Sequence, residues 1–311
     1  MRVKLDSPFE YRTCPNCGQD CYTVLFESNM GKSDFHQGIE SVYMLPGDKY
    51  GRHVECQRCH LVYVNPIIRE EKINNDYSQM NSIDATIVRG SRLRAAKSQV
   101  RMINKYINGT SFLDIGCGEG FFPSTAASAG YSTKGIEISQ AAAAYAEREF
   151  GLDIEARAFE ELQLPGNYFD VVTLWQVLEH LPHPLEILKE AHRILKPGGL
   201  IATSTPNIEG IPSRILRRKW WNIRKIHINQ FSTKTLTYIL QNAGFRNISS
   251  SSYTESISLL MLLIPILRHL KIYEPLKDLL YPSTVLGKIT NKIILKYPAR
   301  LDNCIVIGFK G

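Results

Sequence analysis

The stretch Phe112-Leu113-Asp114-Ile115-Gly116-Cys117-Gly118-Glu119-Gly120 decides the fold, because an apolar strand runs directly into three alternating glycines and then into an Ala-rich helical segment. Glycine at such positions lets backbone amides approach a ligand and permits backbone angles that other residues resist. A dinucleotide fingerprint, G-x-G-x-x-G, would need a further glycine where the chain has Phe121. The stretch therefore predicts a turn that binds a nucleoside-like ligand without phosphates.

A second strand end supports this prediction. Ser132-Thr133-Lys134-Gly135-Ile136-Glu137-Ile138 predicts a short strand that presents Glu137 at its end. An acid about 20 residues after the first glycine can hold the two hydroxyls of a ribose. A glycine turn or a lone acid has an ordinary structural explanation when taken alone. Their joint spacing favours one nucleoside site at two neighbouring strand ends.

Two more motifs complete the pattern. They are Phe169-Asp170-Val171-Val172-Thr173-Leu174-Trp175-Gln176-Val177-Leu178-Glu179-His180 and Leu195-Lys196-Pro197-Gly198-Gly199-Leu200-Ile201. With the glycine stretch, they resemble the fourth strand with its following loop, and the turn into the fifth strand, of class I S-adenosylmethionine-dependent methyltransferases. The resemblance covers about residues 92 to 250 and returns at 302 to 309. It implies a three-layer α/β, Rossmann-like domain with a seven-stranded sheet.

The resemblance also implies a set of cofactor-binding residues. Asp114 and the glycines would surround the methionine part, Glu137 the ribose hydroxyls and Ile138 one face of the adenine. Many members carry an aspartate after the third strand, where this chain has Ala158, so the adenine contacts are less defined than the ribose contacts. The expected cofactor-binding residues are Asp114, Gly116, Cys117, Gly118, Gly120, Glu137, Ile138, Phe159 and Gln176.

Composition frames these expectations. The chain has 311 residues, 44% of them hydrophobic and 22% charged, which suits a soluble globular protein of one large domain with additions. Residues 1–6 contain no apolar segment of the kind found in secretory signals, so a cytoplasmic location is the default expectation. In that compartment, cysteines bind metal or remain thiols more often than they form disulfides.

Four cysteines form the second strong signal. Cys14 and Cys17 make one C-x-x-C pair, and Cys56 and Cys59 make another about 40 residues later. Two such pairs can give one zinc ion four thiolates, which closes the site and makes the metal structural. A redox C-x-x-C pair or accidental clustering are the alternatives. Cys21, His53 and His60 flank the pairs as possible substitute ligands.

The chain divides into three parts on this evidence. Residues 1–65 are expected to form a small zinc-ribbon-like module of hairpins, and residues 66–108 a helical linker or cap. The methyltransferase domain is expected over residues 109–311, with an α-helical insertion at about 254–300. A short apolar run that begins at Ile257 favours a lid over the acceptor site or a dimer interface, and a helix resting on a membrane is the third interpretation.

The candidate catalytic residues are Glu179 and His180, in the loop after the fourth strand, and His227. Methyl transfer to a hydroxyl needs an oriented acceptor and removal of a proton, which a histidine can accept near neutral pH. The alternative is that the Glu-His pair only stabilises its loop. Some related quinone-pathway and RNA-end methyltransferases bind a divalent metal through Glu-x-x-Glu-His, but Gln176 replaces the first acid here.

The acceptor is expected to be a sugar or glycan intermediate, with phosphate-linked and lipid-linked forms among the options. The basic segment 214–225, which contains Trp220 and Trp221, suits a phosphate-bearing or sugar ligand and equally a membrane surface. The stretch 206–231 resembles methyltransferases encoded with bacterial surface-polysaccharide enzymes. Net charge of +7 adds peripheral contact with the inner face of the membrane as an option.

Alternatives stay open on the sequence alone. C-methylation of a nucleotide-linked deoxysugar is the rival enzyme activity, because enzymes of that type also join a zinc module to this fold. An RNA-binding methyltransferase or a non-catalytic binding module is the rival class, since basic stripes with aromatics occur on nucleic-acid surfaces. The fourth-strand loop lacks an Asn-Pro-Pro-Tyr-like cluster, and nucleic acid is the least favoured partner.

Overall fold

A computed structural model describes residues 9–31, 49–79, 85–259, 263, 267, 272–280 and 284–311. Its main sheet has seven strands in the order β12-β15-β10-β9-β6-β7-β8. All neighbours are parallel except β15, which runs antiparallel to β10 and β12. The strands are β6 (Ser111–Ile115), β7 (Ser132–Ile136), β8 (Asp153–Glu155), β9 (Phe169–Trp175), β10 (Leu195–Pro206), β12 (Phe245–Ser250) and β15 (Asn303–Lys310).

Helices cover both faces of this sheet, which gives the three layers expected from the sequence. On one face, α2 and α3 pack on apolar residues such as Phe112 and Val171. On the other face, α5 and α7 pack on residues such as Leu113 and Val172. Neighbouring residues of β6 and β9 thus serve opposite cores, because side chains alternate along a strand. The helices are α2 (Ala85–Ile103), α3 (Phe121–Ser128), α4 (Gln140–Phe150), α5 (Pro184–Ile194), α6 (Ile211–Leu216) and α7 (Thr233–Asn242).

The N-terminal part forms a separate four-stranded antiparallel sheet in the order β11-β4-β3-β2. Its fourth strand comes from far along the chain, since Asn229 pairs with Tyr63 and Gln230 with Val62. A short pair, β1 with β5, precedes helix α1. The elements are β1 (Phe9–Glu10), β2 (Tyr22–Phe26), β3 (His53–Cys56), β4 (Val62–Val64), β5 (Ile67–Ile68), α1 (Glu70–Ser78) and β11 (Asn229–Gln230).

The C-terminal insertion contains strands as well as helices. Residues Thr254–Ser258 form β13, which pairs antiparallel with β14, Ile294–Pro298. Between them lie α8 (Tyr273–Leu280) and α9 (Val285–Lys292). Ile257 therefore starts the predicted apolar run inside a strand, and most of that run lies outside the described residues. Within the described ranges, no helix has the length and apolarity needed to cross a bilayer.

Candidate functional site

The glycine turn after β6 has the geometry that its sequence predicts. Gly116, Gly118 and Gly120 all have positive φ, at 70°, 53° and 77°. A Cβ on Gly116 would lie 2.6 Å from Cγ2 of Val177, whereas one on Gly118 would meet nothing within 4 Å. Gly118 is therefore glycine because of its backbone angle, and space remains open beside it.

Glu137 joins this turn to the end of the neighbouring strand. Its Oε2 accepts a hydrogen bond from the Gly118 amide at 2.8 Å, and its Oε1 accepts one from the Ser139 amide at 2.9 Å. Burial raises the pKa of the carboxyl, and these two amides act against that rise. The two predicted strand ends do meet, and the acid is fixed where both elements end. A carboxylate with further lone pairs at this point suits a ribose diol.

Asp114 is the second-to-last residue of β6, and 3% of its surface is exposed. Its Oδ1 accepts a 2.6 Å hydrogen bond from the Thr173 hydroxyl of β9. Burial raises the pKa of this carboxyl to about 8, against the effect of that hydrogen bond. The Cys117 thiol is also buried, and Phe159 begins a short helical turn with 5% exposure. Ile138 is half-buried beside Glu137.

Gln176 follows β9 in a left-handed conformation, with φ of 58°. Such a backbone is uncommon for a residue other than glycine, and it recurs at functional sites. The side-chain amide donates to Oγ of Ser204 at 3.2 Å and to Oδ1 of Asn303 at 3.3 Å. Gln176 therefore points toward β10 and β15. Together these features fit an S-adenosylmethionine site, in which the glycine turn, Asp114 and Glu137 would hold the cofactor.

Glu179, His180 and His227 come together as the sequence predicts, although 47 positions separate the two histidines. Their possible ligand atoms lie within 4.8 Å of one another, and the two imidazole rings meet edge to face at 4.8 Å. Nε2 of His180 lies 4.0 Å from Oε1 of Glu179. This set can move protons, and a carboxylate with two imidazoles is also a donor set for a divalent cation.

Burial sets the protonation of the three groups. It raises the pKa of Glu179 to about 8, and neither carboxylate oxygen has a hydrogen-bond partner among the described residues. It lowers the pKa of His180 to about 4 and that of His227 well below its ordinary value. Near neutral pH both imidazoles are therefore neutral. Nδ1 of His227 donates to the Asn222 carbonyl at 3.0 Å, which leaves the lone pair on Nε2.

Asn229 holds the loop that carries Glu179. Its side-chain amide donates to the carbonyls of Leu178, at 3.0 Å, and Leu181, at 2.8 Å. The amides of Ile228 and Asn229 donate to the Glu179 carbonyl at 2.8 and 3.1 Å. The strand that completes the N-terminal sheet thus also fixes the candidate catalytic loop.

Tyr77 is a site residue that the sequence analysis missed. It lies near the end of α1, and its hydroxyl lies 2.6 Å from Nδ1 of His180. Burial raises the pKa of the phenol, and among nearby charges Arg224 opposes that rise while Glu179 and Glu137 add to it. Tyr77 therefore lies close to the candidate catalytic residues and to Glu137, the acid predicted to bind the ribose. Tyr77 and His180 are 103 positions apart in the sequence, so no short motif indicates that their side chains meet.

The four cysteines form a compact group at the edge of the N-terminal sheet. Sγ of Cys14 lies 3.5 Å from Sγ of Cys59, and Cys17 and Cys56 are separated by the same distance. All four sulfurs lie within 4.8 Å of one another. Tetrahedral zinc with Zn–S bonds of about 2.3 Å places sulfurs roughly 3.8 Å apart, so the group fits this ion.

The flanking residues do not join this group. Cys21 is exposed, Nδ1 of His60 lies 2.9 Å from Oε1 of Glu55, and Nδ1 of His53 lies 2.9 Å from the Gly51 carbonyl. The module itself rests on α7. The side-chain amide of the fully buried Asn16 donates to the Thr235 carbonyl at 3.2 Å.

The tryptophan-rich segment differs from the sequence expectation. Trp220 is 1% exposed and packs with Tyr50 and Ile223, so its indole face is part of a core. Trp220 therefore offers no exposed face to a sugar ring, whereas Trp221 is half-buried. Residues 214–219 are exposed, so the cations among them reach the surface, but Arg224 is buried.

Comparisons with known proteins agree with this geometry. A family model described as a methyltransferase domain matches residues 88–250, just over half of the chain. A ubiquinone biosynthesis O-methyltransferase of Pseudomonas paraeruginosa is 38% identical over 106 residues, which are 32% of this chain and 45% of that protein. A "Probable S-adenosylmethionine-dependent methyltransferase" of Mycolicibacterium smegmatis is 32% identical over 139 residues, covering 44% and 52%. The chain thus spans about half the length of the curated relatives it matches.

Solved structures show the same fold. A SAM-dependent methyltransferase from Archaeoglobus fulgidus superposes with a TM-score of 0.50 at 23% identity, over 73% of this chain and 98% of that chain. One from Thermotoga maritima superposes with a TM-score of 0.50 at 19% identity, over 73% and 93%. The glycine turn, the acid after β7 and every strand of the main sheet except β15 fall inside the matched region. The chain belongs to the methyltransferase domain family, because the model of that family matches more than half of its length.

Proposed function

We propose that this enzyme O-methylates a hydroxyl group of a sugar or glycan intermediate. The observation that carries the proposal is the buried cluster of Glu179, His180 and His227 at the carboxyl end of β9. Ligands of open α/β sheets bind at that edge. Neutral imidazoles suit removal of a hydroxyl proton. The named O-methyltransferase among the relatives also supports an oxygen acceptor.

The residues have separate roles in this proposal. Nε2 of His227 accepts the hydroxyl proton, because its Nδ1 is committed to the Asn222 carbonyl. His180, held by Tyr77 and the Ile226 carbonyl, positions the acceptor, and Glu179 lies beside His180, with Oε1 4.0 Å from Nε2. When bound, S-adenosylmethionine would supply a methyl group on a sulfonium: the oxygen–carbon bond would form as the carbon–sulfur bond breaks, and that electron pair would stay on sulfur. Glu137 and the glycine turn would hold the cofactor.

The test is a turnover assay with labelled S-adenosylmethionine and a panel of UDP-sugars, dTDP-sugars and octyl glucoside. We expect a methylated sugar whose new methyl group is bound to oxygen by NMR. His227→Gln should reduce the rate by 100-fold or more, in the range of a lost general base. His183→Gln should not, because that side chain is 57% exposed and lies three residues beyond His180.

Two other results would overturn the proposal. A methyl group on a sugar carbon would establish the C-methyltransferase alternative. Equal rates for His227→Gln and the wild type would remove His227 from proton transfer. Repeating the assay after chelation with EDTA, with and without added Mg²⁺, separates proton transfer from a metal held by the same three residues.

We also propose that the four cysteines bind one structural zinc ion. Their sulfur distances fit a tetrahedral site, and four protein ligands leave no position for water. The metal would then hold the N-terminal sheet together and take no part in the reaction. Asn16, which lies between two of the cysteines, hydrogen-bonds to Thr235 and Asn242 of α7. Through these contacts, the metal would also stabilise the packing of the N-terminal part on α7.

Peripheral membrane contact is proposed for the segment 211–219. Ile211, Ile215 and Leu216 are 60%, 73% and 38% exposed, and exposed cations surround them. Apolar tips flanked by Arg and Lys suit the interface of an anionic bilayer. Sedimentation with vesicles containing phosphatidylglycerol should carry the wild type down and leave Ile215→Ser with Leu216→Ser in solution. Equal sedimentation of both proteins would exclude this segment.

A further inference from the structure

A cavity of about 180 Å³ lies between the N-terminal sheet, α1 and the candidate catalytic loop. Its walls are mostly apolar and include Ile68, Ile73 and Ile228. These residues come from β5, α1 and the stretch before β11, so neither the N-terminal module nor the methyltransferase domain forms the cavity alone. Nothing in the cofactor site described above uses this space.

One end of the cavity reaches the candidate catalytic cluster. Tyr77 and His180 both line it, and their side chains meet through the 2.6 Å contact between the phenol oxygen and Nδ1. The rings lie edge to face at 5.6 Å, which fixes the imidazole at the cavity wall. A molecule in the cavity would therefore lie beside His180, which is proposed to position the acceptor and whose ring lies 4.8 Å from that of His227, the proposed base.

The charge of Arg52 favours an anion in the cavity. Arg52 is part of the lining, and Asp76, an acidic lining residue, is paired with Lys72 at 3.0 Å. Nε of Arg52 donates to the Asn65 carbonyl at 2.7 Å, which fixes the direction of the guanidinium. An oriented guanidinium recognises phosphate through paired hydrogen bonds.

A free sugar suits this lining poorly. Each sugar hydroxyl that leaves water needs a hydrogen-bond partner, and a buried hydroxyl without one is destabilising. By contrast, the transfer of apolar groups from water into this cavity lowers the free energy. The lining therefore selects a ligand whose buried part is hydrocarbon.

We propose that this cavity is the acceptor pocket and that the acceptor is amphipathic, with an apolar body in the cavity and a phosphate at Arg52. Its hydroxyl-bearing group lies beside Tyr77 and His180. The inference rests on the proposed O-methylation and narrows its acceptor to sugars or related hydroxyl groups carried on an apolar phosphate. The N-terminal sheet then supplies one wall of the active site in addition to a metal site.

Calorimetric titration of the full chain, saturated with S-adenosylhomocysteine, tests this with decyl phosphate below its micelle concentration. Decanol lacks the anion and glucose 6-phosphate lacks the apolar body. We expect decyl phosphate to bind at least tenfold more tightly than either of them. This comparison uses only the wild type, so it stands even where a variant fails to fold. Equal affinity for glucose 6-phosphate and decyl phosphate would overturn the proposal.

Variants locate the binding. Ile73→Trp should fill the cavity and weaken decyl phosphate at least tenfold, and Arg52→Gln should weaken it at least fivefold. The matched controls are Ile289→Trp, at a position that is 52% exposed, and Arg101→Gln, at an exposed position of α2. Both controls should bind as the wild type does. Unchanged affinity in Ile73→Trp would place decyl phosphate elsewhere and refute the pocket.

The outcome also separates this inference from the proposed function. If decyl phosphate binds as expected but the turnover assay gives no O-methylated sugar, the pocket stands and the sugar acceptor fails. If free nucleotide sugars are O-methylated and the affinity for decyl phosphate is the same in Ile73→Trp as in the wild type, the proposed function stands and the pocket fails. S-adenosylhomocysteine affinity, measured in the same titrations, reports whether each variant is folded.

Discussion

Nη1 of Arg12 donates a 3.0 Å hydrogen bond to the carbonyl of Pro182, a residue 170 positions later that follows the candidate catalytic loop. The same guanidinium donates to the carbonyls of Val64 and Ile228 and to Oδ1 of Asn229. Burial lowers its pKa to about 10, so it stays charged at neutral pH. One side chain thus ties the N-terminal sheet to the loop that carries Glu179 and His180.

Arg12→Gln should lower the free energy of unfolding by about 2–3 kcal/mol, because several buried carbonyls lose a charged donor. Arg12→Lys should recover only part of this loss, since an ammonium cannot match the forked geometry. Urea unfolding measures both variants. Arg101→Gln, at an exposed position, should stay within about 0.5 kcal/mol of the wild type. A similar small effect for Arg12→Gln would show that these contacts do not stabilise the fold.

The proposed zinc site predicts one zinc ion per chain by elemental analysis. Cys17→Ser should lose the metal and at least about 3 kcal/mol of stability, because metal binding and folding are coupled. Cys21→Ser is the matched control, since its thiol is exposed and stands outside the group. One zinc ion per chain in Cys17→Ser would contradict the site. So would a melting temperature of the wild type that does not change when a chelator is added.

Glu137 is predicted to carry much of the cofactor affinity. Glu137→Ala should raise the dissociation constant of S-adenosylhomocysteine at least tenfold, which corresponds to about 1.4 kcal/mol. The loss comes from the ribose contacts and from the freed Gly118 amide, which now bonds to this carboxylate. Glu147→Gln, an exposed position on α4, should bind as the wild type does. Isothermal titration measures the dissociation constants. If Glu137→Ala binds S-adenosylhomocysteine as tightly as the wild type does, Glu137 takes no part in binding the cofactor.

Glu179 predicts a specific pH dependence of stability. Its folded pKa of about 8 lies above the ordinary 4.5, so the native state binds the proton more tightly and stability falls as pH rises through that window. Glu179→Gln lacks this dependence, so its stability relative to the wild type should improve between pH 4.5 and 8, by on the order of 3 kcal/mol.

Chemical unfolding at several pH values measures the effect. Asp114 has a similarly raised pKa, so the Gln variant should retain part of the fall. Glu147→Gln should follow the wild type at every pH because that side chain is exposed. A fall of equal size in wild type and Glu179→Gln would show that the Glu179 carboxyl is not buried in its neutral form.

Sequence patterns predicted the parts of this structure that depend on short spacings. The positive φ angles at Gly116, Gly118 and Gly120 and the position of Glu137 follow from a strand–turn–helix unit whose parts are adjacent in the chain. The same holds for the C-x-x-C pairs, where the residue types themselves indicate a common ligand.

Contacts between distant segments could not be predicted in this way. Tyr77 lies on an ordinary amphipathic helix, and only the fold brings it to His180. Arg12 resembles any arginine near a terminus until the carbonyls around it are known. Trp220 shows the opposite error, because a tryptophan among cations suggested a binding surface while its indole packs in a core with Tyr50. The strands β13 and β14 were missed because they pair across the whole insertion.

The pairing of β4 with β11 has a consequence for the order of events during synthesis. Tyr63 leaves the ribosome long before Asn229, its partner across the sheet. Domains usually fold from the N-terminus as the chain emerges. Here the edge of β4 must wait, exposed or held by another protein, until about 165 more residues have been made. The N-terminal sheet is thus completed only after much of the methyltransferase domain has been translated.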